Sequence, residues 1–79
     1  MELDRSGARV QDFVEQMPGR YGGRPMFKGH RLEPWHVASR LRDDDTVDDL
    51  CGDYPEIPRQ AFEAVARELD DWQPPEWAR

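Results

Sequence analysis

Prolines at positions 34, 55, 58, 74 and 75 cut this chain into short pieces, and that punctuation constrains its fold more than any other feature. The pieces from Pro34 onward carry apolar stripes, yet isolated helices shorter than about 12–15 residues are marginal in water. They must therefore pack on one another. From Pro34 the chain reads as helix, turn, helix, turn, helix.

Pro34 suits the first position of a helix, where its missing N–H is no loss. Trp35, Ala38 and Leu41 then face one way with Val37 beside them, and Asp43-Asp44-Asp45 ends the run. Thr46 with Asp49 resembles a capping box, with the shorter acid standing in for Glu or Gln. Val47, Leu50, Cys51 and Tyr54 follow at helical spacing, and Tyr54-Pro55 stops the second helix because a residue before proline avoids the α region. Pro58 opens a third helix with an apolar face of Ala61, Phe62, Val65, Leu69 and Trp72, closed by Gln73-Pro74-Pro75. Residues 73–79 form a short tail with an aromatic anchor, Trp77.

Upstream of Pro34 the signals change. Residues 1–20 read as an N-terminal arm, in which Val10, Phe13, Val14 and Met17 are spaced for a short helix over 10–17; an extended arm is the competing reading. Tyr21 to Leu32 has little helical character. Pro25-Met26-Phe27 and His30-Arg31-Leu32 flank Lys28-Gly29 and resemble a small hairpin, with glycine supplying the positive φ. Residues 21–72 are thus the folded unit, a short β element followed by three helices.

At 79 residues there is one domain at most, and a chain this short buries only roughly 60–65% of the surface it exposes when unfolded. A homodimer is the simplest remedy. The single cysteine rules out an internal disulfide and fits a reducing cytoplasm. The start is too polar for a signal peptide, and no apolar run exceeds three residues, so no membrane span is expected.

The net charge of −6 is unevenly placed. Residues 1–42 carry eight Lys/Arg against five acids, a balance of +3; residues 43–79 carry three arginines against twelve acids, a balance of −9. The first half suits a polyanion and the second repels one. The aspartates from 43 to 53 do not make a calcium loop, since Val47 occupies a required ligand position. Cys51 lies on an apolar helix face, and His30 and His36 have no third ligand in view. Neither a metal site, nor a cofactor site, nor a nucleophile with its base is evident, and an enzyme is not expected.

The run Gly22-Gly23-Arg24-Pro25-Met26-Phe27-Lys28-Gly29-His30-Arg31-Leu32 resembles the Gly-Gly-Lys-Pro-x-Ile-x-Gly-Thr-Arg-Ile signature of the bacterial family called domain of unknown function 433. The acidic-capped second helix ending in Tyr54-Pro55 and the third amphipathic helix agree in order. The likeness covers roughly Arg20 to Trp72. It implies a mostly α fold: a three-helix, homeodomain-like helix-turn-helix core preceded by a short β element. It also implies an antitoxin of a type II toxin–antitoxin pair, which binds and silences a PIN-like ribonuclease toxin and represses its own operon. The chain departs from the signature at His30, at Asp43-Asp44-Asp45 where a glycine normally follows the first helix, and at Ile57 where a hydroxyl cap is usual.

On that reading two sets of residues stand out. For operator DNA the candidates are the basic segment Arg20, Arg24, Lys28, His30 and Arg31, together with Arg59 and Gln60 at the start of a recognition helix. Glu56, Glu63 and Glu68 oppose phosphate contact there. For a toxin whose active site clusters carboxylates, a natural inhibitor supplies a cation, best an arginine. Arg67 and Arg79 are the candidates, with Trp72 and Trp77 as aromatic anchors. A DNA-binding regulator without a toxin, or a small protein-interaction adaptor, is the alternative.

Overall fold

Local signals set the helix limits in the computed structural model, which describes residues 8–19 and 21–78. Helix α1 spans Pro34–Arg42, with proline in its first turn and Glu33 as an extended N-cap. It ends where the Asp43 N–H turns back to the carbonyls of Ser39 and Arg40. Asp44, at φ 79°, then takes the left-handed conformation that a glycine would adopt without strain.

Helix α2 spans Val47–Asp53. Its capping box forms as the spacing predicts: Thr46 Oγ1 accepts from the Asp49 N–H at 3.1 Å, and Asp49 Oδ2 accepts from the Thr46 N–H at 2.9 Å. The Thr46 backbone N–H, and after it the Thr46 hydroxyl, hold the Asp49 carboxyl below the usual carboxylate range. Arg40 ties the corner together, reaching Asp45 at 2.6 Å and Asp53 at 2.7 Å. Its guanidinium is thereby held well above its ordinary pKa, chiefly by the bond to Asp45.

Helix α3 spans Arg59–Arg67, with Pro58 as its N-cap. It is shorter than its apolar stripe suggests. Glu68 leaves the helix, and Leu69–Asp71 make a separate 3-10 turn that still brings Leu69 and Trp72 against the core. Ile57, in place of a hydroxyl cap, is 4% exposed and serves as a core residue.

Residues 10–17 form no continuous helix. Val10–Asp12 make one 3-10 turn, and Val14–Glu15 then extend as strand β1. Strand β2, Met26–Phe27, pairs with β1 antiparallel, Val14 opposite Phe27 and Glu15 opposite Met26. The partner of β2 in the sheet is therefore the arm and not residues 30–32. The tight turn around Gly29 (φ 77°) does form, closed by the Phe27 N–H on the Leu32 carbonyl at 2.9 Å.

The core lies under α3, which packs on both α1 and α2. Phe62 sits at its centre, with Phe27 edge-on at 6.2 Å and Tyr54 at 6.4 Å between ring centroids. Val37, Ala38, Leu50 and Val65 fill the space around it. Val10 is wholly buried in the same cluster, so the segment read as an arm supplies part of the body. Among the described residues the fold is thus three α-helices with a two-stranded antiparallel sheet. Among the described residues no helix is long and apolar enough to cross a membrane.

Candidate partner-binding face

In the stretch Tyr21 to Trp35, Glu33 is the only carboxylate among Arg24, Lys28, His30 and Arg31. It is buried, at 6% exposure, where an unpaired charge would be costly. Two donors converge on one of its oxygens: Arg24 Nε at 3.0 Å and Trp35 Nε1 at 2.9 Å. The backbone explains the convergence. Gly22 and Gly23 both have positive φ and carry the loop around to bring Arg24 over the first turn of α1. Pro34 at the helix start fixes Glu33 as the N-cap, with Trp35 just beyond it.

The tail closes on this pair. Residues Glu76–Ala78 form a 3-10 turn that sets the Trp77 ring edge-to-face on Trp35, with centroids 6.0 Å apart at 86°. The Arg24 guanidinium lies 5.4 Å from the Trp77 ring centroid. Trp35 stacks on the His36 imidazole at 3.9 Å. Trp77 is nevertheless 66% exposed, the one large hydrophobic residue so exposed among those described. An aromatic pair and a surface cation–π contact together contribute about 1–2.5 kcal/mol.

The remaining candidates divide. Arg59, read as a base contact, is ion-paired to Asp48 at 2.6 Å and to Glu63 at 3.3 Å. Asp48 is the main cause of the upward shift of its guanidinium. Gln60 is exposed beside it. Arg67 donates to the Ala8 carbonyl at 2.6 Å and so ties the segment leading into Val10 to the end of α3. Trp72 is half-buried against the core, with its indole N–H directed to Glu68 Oε1 at 3.4 Å, and is a packing residue more than an open anchor. Arg24 is committed to Glu33 and Trp77. Lys28 and Arg31 are exposed and His30 half-buried on the turn around Gly29. Arg20 and Arg79 lie outside the described residues.

Beside that turn a cleft of about 150 Å³ is lined by Phe13, Phe27, Ile57 and Pro58, together with Asp12, Lys28, His30 and Glu56. Small-molecule sites commonly run to about 300–1,000 Å³, so the cleft has room for one side chain rather than for a cofactor. Among the described residues no group of His, Cys, Asp and Glu is arranged to hold a metal ion.

Sequence reasoning missed Glu33. Its signal was present, a lone acid in a basic run immediately before a helix-starting proline. It also missed Glu68, which accepts from the Val10 N–H at 3.0 Å and lies 3.5 Å from Arg9 Nε. Nothing local marks that pairing.

Residues 14–67 match the family described as protein of unknown function (DUF433), and the chain belongs to that family. No curated protein and no solved structure matches it.

Proposed function

We propose that this DUF433 member is the antitoxin of a type II pair, a non-enzymatic dimer that neutralises a PIN-like ribonuclease toxin by protein–protein contact. The supporting observation is Trp77, two-thirds exposed on a proline-stiffened tail. Exposed aromatic side chains of this kind are the usual anchors of protein interfaces. Arg67, near the C-terminal end of α3, and Arg79, beyond the described residues, are the cations we assign to the toxin's carboxylates. α2 and α3, joined through Tyr54–Pro58, are the pair we assign as a homeodomain-like helix-turn-helix.

The test is co-expression of the full chain with a PIN-type nuclease encoded beside it. The expected result is rescue of growth and co-purification, both weakened by deletion of residues 73–79. Full neutralisation by the truncated chain would remove the tail from the interface, and absence of any complex would remove the toxin.

Operator binding is a second reading, favoured by the exposure of Lys28 and Arg31 on one tight turn. Each phosphate contact contributes to the salt dependence of DNA affinity. The double variant K28A/R31A should therefore flatten the salt slope of binding to the chain's own promoter. An unchanged slope would show that this turn does not meet phosphate.

A further inference from the structure

We infer that Arg24 and Trp35 are positioning residues for Trp77, forming a rigid seat that presents the tail's indole to a protein partner; the inference rests on the tail-binding reading above.

The seat is held by bonds inside the body that do not involve the tail. Arg24 and Trp35 come from different elements, the glycine-rich loop and α1, yet both are fixed by bonds to Glu33 Oε1 inside the body. Trp35 is further restrained by its stack on His36. Trp77 meets the seat through its edge-type contact with Trp35 and through the Arg24 guanidinium, and stays two-thirds exposed. A core residue would be covered, and a disordered tail would touch neither group. The arrangement matches what a preorganised anchor requires: one side held, the other offered.

Preorganisation matters because a mobile side chain must be immobilised on binding, and that loss is taken from the affinity. The two prolines at 74 and 75 work in the same direction, since their fixed φ limits where the following residues can travel. Arg24 therefore has a role in protein recognition, in place of the phosphate contact its position in a basic run suggests.

The experiment follows the three indole N–H resonances of the full chain by two-dimensional NMR, with the Trp77 signal assigned through W77A. In W77A the Trp35 signal should shift, because a neighbouring ring has gone; an unmoved Trp35 signal overturns the contact. In R24Q and W35L the Trp77 signal should move to the position of an exposed, mobile indole, while circular dichroism shows the helices intact. R24K, which keeps a charge for Glu33 but has no planar guanidinium, should hold Trp77 partway. A Trp77 signal that stays in place in both R24Q and W35L overturns the seat. Affinity for the co-purified PIN-type nuclease should fall roughly 5- to 50-fold in R24Q and W35L. Loss of affinity in W77A with none in R24Q and W35L would sink the inference and leave the tail reading standing. A nuclease that binds no form of the chain would sink the tail reading, and the indole signals would still decide the seat.

Discussion

The backbone N–H of Val10 donates to Glu68 Oε2 at 3.0 Å, which fastens the N-terminal turn to the end of α3. Glu68 also lies 3.5 Å from Arg9 Nε and takes the Trp72 indole N–H at 3.4 Å, so the side chain of this C-cap residue gathers both flanks. Removing it leaves a part-buried donor unsatisfied. E68A should lose about 1–3 kcal/mol of stability in urea unfolding, and E68Q, which keeps an acceptor, clearly less. Equal losses in the two variants would show that charge, not acceptance, is what matters at this position.

Arg24 and Glu33 form an ion pair with one partner buried, their side chains being 41% and 8% exposed. Stripping a fully buried carboxylate of its cation costs about 3–5 kcal/mol; the exposure of Arg24 reduces the expectation to about 1–3 kcal/mol for R24A. R24A/E33Q should be less destabilised than the two single changes added together. Strict additivity in that cycle would mean the pair is not coupled.

The cap of α2 has a pH signature. Asp49 is lowered by its bonds to Thr46, so the unfolded chain binds its proton more readily than the folded one. The stabilisation is fully present above the ordinary aspartate value of about 4 and is lost as pH falls through the lower folded value. T46A should cost about 1 kcal/mol at pH 7. T46A keeps the backbone donor at position 46, so the pH test is D49A: its gap in Tm from the native chain should narrow toward pH 2, and a constant gap would exclude the Asp49 contribution.

Asp44 carries a φ of 79° directly after α1. Aspartate tolerates this region better than most residues but still at a cost that glycine avoids. D44G should raise stability by about 0.5–1 kcal/mol, with a matching rise in Tm of several degrees. A lower Tm would show that the Asp44 side chain supplies something the backbone argument omits.

Phe62 and Trp77 should behave as opposites. Phe62 is fully buried, and F62A should cost about 3–5 kcal/mol. W77A removes an aromatic pair and a surface cation–π contact and should cost less than F62A, no more than about 2.5 kcal/mol. A strongly destabilised W77A would make Trp77 a structural residue and not an anchor.

Features set by neighbours in sequence were legible without the structure. Pro34, Tyr54-Pro55 and the Thr46–Asp49 cap each act within a few residues, and the helices begin or stop where they indicate. The glycine-rich turn formed for the same reason. What escaped depended on contacts between distant segments. Val10 and Val14 fit a helical stripe, but β1 is two residues long, too short to show the alternation of a strand. Its identity comes from Phe27 and Met26 across the sheet. The end of α3 was misplaced because Leu69 and Trp72 keep to the apolar side through a 3-10 turn as well as they would on a helix. At the candidate site the exposure of Trp77 followed from its place in a proline-rich tail, whereas the commitment of Arg24 to Glu33 hung on the path of a loop.

Val10 is buried in the core from a point upstream of the stretch shared with the family, 14–67, and Trp72 packs on from beyond its other end. The smallest piece able to fold by itself is therefore wider than the inherited motif. A fragment cut at the borders of the homology would surrender a plug on one side and a cover on the other, and instability in such a fragment would say nothing about the intact chain.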